Sequence, residues 1–194
     1  MWMLIVGLIL FLGAHSVRIF AEGWRTRAIA RLGEMGWKGL YSVVSLIGFG
    51  LIIWGFAQAR MQPVVLWSPP AMLKHLNSLF TLLAFVLLAA AYVPRNSIRA
   101  RLHHPMVLGV KLWAFGHLLA TATLADLVLF GAFLLWAVLD FRAARQRDRA
   151  LGTVYAPGKP APTVLAVVVG AAAWAAFAFW LHAAWIGVAP IARG

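Results

Sequence analysis

The chain has 194 residues, of which 63% are hydrophobic and 11% charged, and it contains no cysteine. A water-soluble domain carries about 45–50% apolar and about 25% charged residues, so this composition excludes a soluble globule, and its apolar content excludes a disordered chain. Without cysteine there is no disulfide, iron–sulfur cluster, thiolate haem ligand or cysteine nucleophile. The 17 basic and 5 acidic residues leave a net charge of +12. In so apolar a chain that excess reflects membrane orientation and anionic lipid, making the bilayer rather than a nucleic acid the partner.

A spanning helix needs about 20 mostly apolar residues. In chain order the candidates are Trp2–Ala21, Leu40–Ala59, Leu76–Val93, Met106–Thr121, Leu124–Phe141 and Thr163–Gly187. They predict an all-α, polytopic bundle of six transmembrane helices, read as one membrane domain over residues 1–194. The first span has no basic residue before it and no small-residue cleavage site after it, and reads as a retained anchor. Pro94 stops the third, and Pro105 opens the fourth at the position helices favour. Thr123 followed three residues later by Asp126 resembles a capping box. It places a tight turn at 121–123 and separates the fourth span from the fifth. At 16 residues the fourth is short for a crossing.

Between the spans, basic-rich and basic-poor loops alternate. The first loop holds Arg25, Arg27, Arg31 and Lys38, the third Arg95, Arg99 and Arg101, and the fifth Arg142, Arg145, Arg147, Arg149 and Lys159. The second has only Arg60 and Lys74, and the fourth no basic residue. The positive-inside rule then predicts an inner-membrane protein with both termini periplasmic and the odd loops cytoplasmic. Within the first loop Trp24, Ala28, Leu32 and Met35 recur at helical spacing, set opposite Arg25, Arg27 and Arg31, and predict a short interfacial helix. The fifth loop, ending in Tyr155-Ala-Pro-Gly-Lys-Pro-Ala-Pro162, reads as a solvated linker. Gly-rich phosphate loops, HExxH and GxSxG motifs are absent.

Ionisable groups at membrane depth are costly, which makes each a functional candidate. His15 lies among the small residues Gly13, Ala14 and Ser16, with Arg18 one turn on. That arrangement suits a haem, nitrogen to iron and guanidinium to propionate. On this segment alone the better reading is a histidine bonded between helices, with Arg18 snorkelling and pairing Glu22. His117 sits near the middle of the fourth span, with Trp113 one turn away on its face and Gly109 and Gly116 permitting close approach. It is either a ligand or a packing histidine. Rising about 1.5 Å per residue, the two imidazoles reach depths roughly 8 Å apart. No third His or carboxylate accompanies them at metal-site spacing. His103-His104-Pro105 lies at the cytoplasmic mouth of the fourth span, as an anion-binding helix start or an interfacial basic cluster with Lys111 snorkelling towards it. His75 and His182 read as interfacial.

The run His104-Pro-Met-Val-Leu-Gly-Val-Lys-Leu-Trp-Ala-Phe-Gly-His-Leu-Leu-Ala120, with Leu124-Ala-Asp-Leu-Val-Leu-Phe-Gly131 and the opening Phe11-Leu-Gly-Ala-His-Ser16, resembles the NnrU family. These are small polytopic membrane proteins named from denitrification gene clusters and similar to the zeta-carotene isomerases, membrane enzymes that use the redox state of a histidine-held b-type haem to isomerise a carotenoid double bond. The resemblance implies haem b as cofactor, with His15 and His117 as axial ligands. Arg18, Trp113 and His104 then join them as cofactor-binding candidates, with an apolar small molecule as substrate. The isomerases have a cysteine three residues before the second histidine, where this chain has Ala114. His104-Pro-x-x-x-Gly109 also resembles the cofactor motif of the isoprenylcysteine methyltransferases, which implies an alternative, S-adenosylmethionine-dependent methyl transfer. Those enzymes carry Arg before the histidine and a Glu pair after the next hairpin. Here His103 and the Glu-free run Phe141–Asp148 stand in those places. A third reading is a non-enzymatic electron carrier or accessory membrane subunit.

Overall fold

The computed structural model describes residues 1–190; the last four positions of the expected domain lie outside the described residues. The described chain is all-helical: α1 (Trp2–Phe20), α2 (Glu22–Met61), α3 (Ala71–Tyr92), α4 (Ser97–Leu102), α5 (Pro105–Ala120), α6 (Leu124–Leu151), α7 (Pro160–Ala176), a π-helical turn (Phe177–Leu181) and α8 (His182–Ile186). Five helices or helical runs are long and apolar enough to cross a membrane, and α5 is a shorter apolar sixth. Many large apolar side chains are exposed, among them Ile9, Leu46, Leu135 and Val164. Exposure on that scale fits a lipid-facing surface.

Several boundaries differ from the sequence expectation. Helix α3 begins at Ala71, directly after Pro69-Pro70, rather than at Leu76. Helix α6 runs ten residues past Phe141, so the stretch from Arg142 to Arg149 is helical and not linker. Arg and Ala are strong helix formers, and basic side chains complement the helix C-terminus. The first loop is helical from Glu22, and α2 is kinked at Gly33 (φ 73°, ψ 164°), which parts residues 22–32 from the spanning segment. The π turn within the last span has no counterpart in the sequence reading.

The expected turn before α6 is present. Thr123 N–H donates to Asp126 Oδ2 at 3.1 Å, and Asp126 N–H donates to Thr123 Oγ1 at 3.2 Å. This reciprocal capping box satisfies helix-start donors that would otherwise be orphaned.

The chain divides into two compact units, one of residues 1–68 and 122–143, the other of 69–121 and 144 onward. In the first, α1 packs on α2 through glycines. A Cβ at Gly7 would stand 2.6 Å from Ile52 N, and one at Gly48 would stand 2.7 Å from Phe11 N. Apolar burial gives little drive between helices in lipid, so close backbone approach through small residues holds them together. In the second unit, a Cβ at Gly109 would lie 3.0 Å from Ala84 O, and one at Gly170 2.8 Å from Val86 N. Trp174 Nε1 donates to Thr81 Oγ1 at 3.1 Å, joining α7 to α3.

Asn96 organises the turn between α3 and α4. It is 1% exposed. Its amide donates to Ala90 O at 2.8 Å and to Val93 O at 2.5 Å, while Oδ1 accepts from Arg99 N–H at 2.8 Å. The side chain closes α3 and caps α4 together.

Two outcomes follow. Gly48→Leu should force α1 from α2 and destabilise the purified protein by about 1–3 kcal/mol, as overpacking does; Gly50→Ala, where a Cβ meets nothing within 4 Å, should be tolerated. Thermal unfolding in detergent reads both. Asn96→Ala should cost about 1–3 kcal/mol by leaving buried backbone groups without partners, measured in the same assay.

Candidate functional site

His15 is carried by α1 in the first unit, half-buried. Its Nδ1–H donates to Phe11 O, one turn back, at 2.7 Å. Because a carbonyl only accepts, that bond fixes the tautomer and leaves the lone pair of a neutral imidazole on Nε2. The ring stacks on Phe11 (4.2 Å between centroids), stands 5.1 Å from Tyr41 and meets Trp136 edge-on at 6.0 Å. The Trp136 indole nitrogen is buried and has no hydrogen-bond partner among the described residues. An orphaned buried donor costs about 1–3 kcal/mol and calls for an explanation such as a bound group. Arg18 is exposed at the end of α1. Glu22 pairs with Arg25 at 2.9 Å.

His117 is carried by α5 in the second unit and shows the same local geometry. Its Nδ1–H donates to Trp113 O at 2.8 Å, and the Trp113 ring lies 5.3 Å from the imidazole. The Thr121 hydroxyl donates to His117 O at 2.7 Å, closing the helix end. Beside His117, Gly116 makes room for Asn77: a Cβ there would stand 2.5 Å from Asn77 Oδ1. That oxygen is buried and lacks a partner among the described residues. The unsatisfied Trp136 donor thus lies against the His15 ring, and the unsatisfied Asn77 acceptor lies against Gly116, the chain neighbour of His117. Ala114, at the position of the isomerases' cysteine, is fully buried.

At the start of α5 the structure assembles a polar cluster of which only part was visible in the sequence. His104 Nε2 is 2.7 Å from Asp148 Oδ2, and the Tyr155 hydroxyl donates to the same oxygen at 3.0 Å. His103 stacks face to face on Tyr155 (4.1 Å, 8°) and is contacted by Arg145. His103 has φ 68° and ψ −53°, and His104 N–H bonds to Leu102 O at 2.9 Å. This is a strained γ-turn, a conformation side chains seldom adopt. Burial first, then the hydrogen bond to Asp148 and that carboxylate's charge, push the Tyr155 phenol up from its ordinary value, while Arg99 and Arg145 pull it down. Because the Asp148 carboxylate accepts, His104 donates to it from Nε2, whereas His15 and His117 donate from Nδ1.

The sequence reading named His15, Arg18, His104, Trp113 and His117. It missed Asp148, Tyr155, Trp136 and Asn77. Asp148 carried a usable signal, as the one acid in an otherwise basic helix end. Tyr155 and Trp136 carried none, being ordinary interface aromatics by spacing. No group of three or more His, Cys, Asp or Glu side chains able to hold a metal ion occurs among the described residues. His182, near the end of the last span, donates from Nδ1 to Val188 O at 2.6 Å.

No curated protein and no solved structure matches the chain. The family model described as NnrU protein matches residues 3–190, nearly the whole length. The chain therefore belongs to the NnrU family.

Proposed function

We propose that this NnrU-family membrane protein binds a b-type haem and works in redox chemistry, with His15 and His117 as the iron ligands. The observation that carries the reading is the shared tautomer. Each imidazole gives its Nδ1–H to the carbonyl four residues back, which orients the ring and presents Nε2 as the basic nitrogen. A backbone carbonyl on the far nitrogen is the usual outer support of a metal-bound histidine.

The residues fit such a group. Phe11 and Tyr41 flank one imidazole and Trp113 the other, supplying apolar, aromatic surroundings for a flat macrocycle. The orphaned N–H of Trp136 is a donor for a polar edge, and Arg18 serves as a propionate partner. Haem supplies a one-electron couple and, where an axial ligand is released, a Lewis-acidic iron. The protein's part is to hold two neutral imidazoles, exclude water with aromatic rings and keep an apolar substrate or redox partner within reach.

With alanine at position 114, no thiolate takes part. The reading is therefore a haem redox protein acting as an isomerase on an apolar substrate or as an electron carrier, in a setting associated with denitrification. We place it in the inner membrane with the basic loops cytoplasmic.

A second reading, S-adenosylmethionine-dependent methyl transfer, draws on the built polar cluster of His103, His104, Asp148 and Tyr155.

Absorption spectra of detergent-purified protein, oxidised and dithionite-reduced, test the first reading. A sharp Soret band with resolved α and β bands is the expected result. His15→Ala and His117→Ala should each weaken haem binding by more than the about 10–100-fold typical of losing a metal's outer-sphere support; unchanged haem stoichiometry in both would sink the ligand assignment. For the second reading, titration with S-adenosylmethionine should show no saturable binding. Saturable binding lost in His104→Ala would put methyl transfer first.

A further inference from the structure

The helical segment 22–32 of the first unit carries a cation pair that its own acids do not neutralise. Glu22 is bound by Arg25 at 2.9 Å, and Glu34, just past the segment, by Lys38 at 3.3 Å. Arg27 and Arg31, one turn apart, have neither a hydrogen bond nor an ion pair among the described residues. With Trp24, Ala28 and Leu32 they line a half-open concavity of about 240 Å³. The two guanidiniums therefore share a face with the apolar residues, where the sequence reading set them opposite. Arg31 lies seven residues, about two full turns, beyond Trp24.

The wall is held in place. The Trp24 ring meets Trp37 edge-on at 5.7 Å. The large apolar side chains that line the concavity are not buried: Trp24 and Leu32 are 49% and 52% exposed. Tryptophan beside arginine on an amphipathic segment that adjoins a span is the composition of the membrane–water interface.

The geometry points to a binding site for the headgroup of an anionic phospholipid, with Arg27 and Arg31 holding the phosphodiester and Trp24 lining it. Paired guanidiniums match phosphate oxygens through charge-assisted hydrogen bonds. A free phosphate would leave Trp24 and Leu32 facing water, whereas a lipid covers them with its glycerol and acyl chains. The charge complementarity and the apolar rim therefore select the same occupant.

The test uses the full chain, delipidated in detergent and titrated with short-chain phosphatidylglycerol under native mass spectrometry. Phosphatidylcholine of the same chain length and inorganic phosphate serve as competitors. Saturable binding of phosphatidylglycerol is expected, with phosphatidylcholine much weaker and millimolar inorganic phosphate unable to displace it. Arg27→Gln with Arg31→Gln should weaken it about 30-fold, from the attraction of two basic side chains to an anionic surface. Arg27→Lys with Arg31→Lys, which keeps the charge, should stay within a few-fold of the parent. Should the glutamine pair fail to fold, Arg27→Ala and Arg31→Ala singly should each weaken binding about 5-fold. Parent-like binding by the glutamine pair, or by both alanine variants, overturns the site. Equal binding of phosphatidylcholine does the same. Displacement by inorganic phosphate would reassign the arginines to a soluble anion.

Discussion

In hydrocarbon a polar group has no water to turn to, so every donor and acceptor within a span must find its partner inside the protein. The placement of polar side chains in this chain follows from that constraint. Thr81 and Thr121 return their hydroxyls to carbonyls of their own helices. Trp174 reaches across to Thr81. Asn96 uses both ends of its amide to close one helix and cap the next. Against that background the indole of Trp136 and the carbonyl oxygen of Asn77, with the hydroxyl of Ser45, are buried and unsatisfied among the described residues. Trp136 meets the ring of His15, and Asn77 lies against Gly116, the chain neighbour of His117.

The same constraint explains why glycine decides the packing. Helices gain little from burying leucine in lipid, and their association rests on van der Waals contact, which needs close backbones. Gly48 brings α2 against Phe11, and Phe11 supplies both the carbonyl that fixes the His15 tautomer and the ring stacked on it. Gly109 seats α5 on α3 one turn beyond Pro105, and Gly116 sets α5 against Asn77 one residue before His117. Glycine packing and the orientation of the histidines are therefore one problem in each unit.

Much of this was legible in the sequence, for identifiable reasons. Five spans and the short apolar α5 follow from runs of apolar residues, and the turn between α5 and α6 from the Thr123–Asp126 pattern, because both signals are local. The helical continuation past Phe141 was hidden because charge was read as loop, although Arg and Ala favour helix. The helix in the first loop was found, but Arg27 and Arg31 were set on the wrong face. The alternation of Trp24, Ala28 and Leu32 drew attention to the apolar stripe, and the seven-residue spacing that brings Arg31 onto it was overlooked. The Asp148–His104 bond joins residues 44 apart in sequence, beyond the reach of any local pattern. His103 adopts a positive φ that only coordinates reveal.

The two candidate ligands share one device: an aromatic residue, three intervening positions, then histidine. In Phe11-x-x-x-His15 and Trp113-x-x-x-His117 the aromatic residue contributes its carbonyl to Nδ1 and its ring to the imidazole face. A packing histidine in lipid needs both nitrogens satisfied by neighbouring helices. Here each satisfies one nitrogen within its own turn, which orients the ring as the outer support of a metal-bound histidine does. His104, whose Nε2 is held by Asp148, shows the contrast within the same chain: its carboxylate partner and the stacked Tyr155–His103 pair tie α5, α6 and the loop before α7 into one polar junction. The chain thus uses histidine in two ways. Within the apolar spans an i−4 carbonyl sets the tautomer, and at the charged end of α6 a carboxylate does.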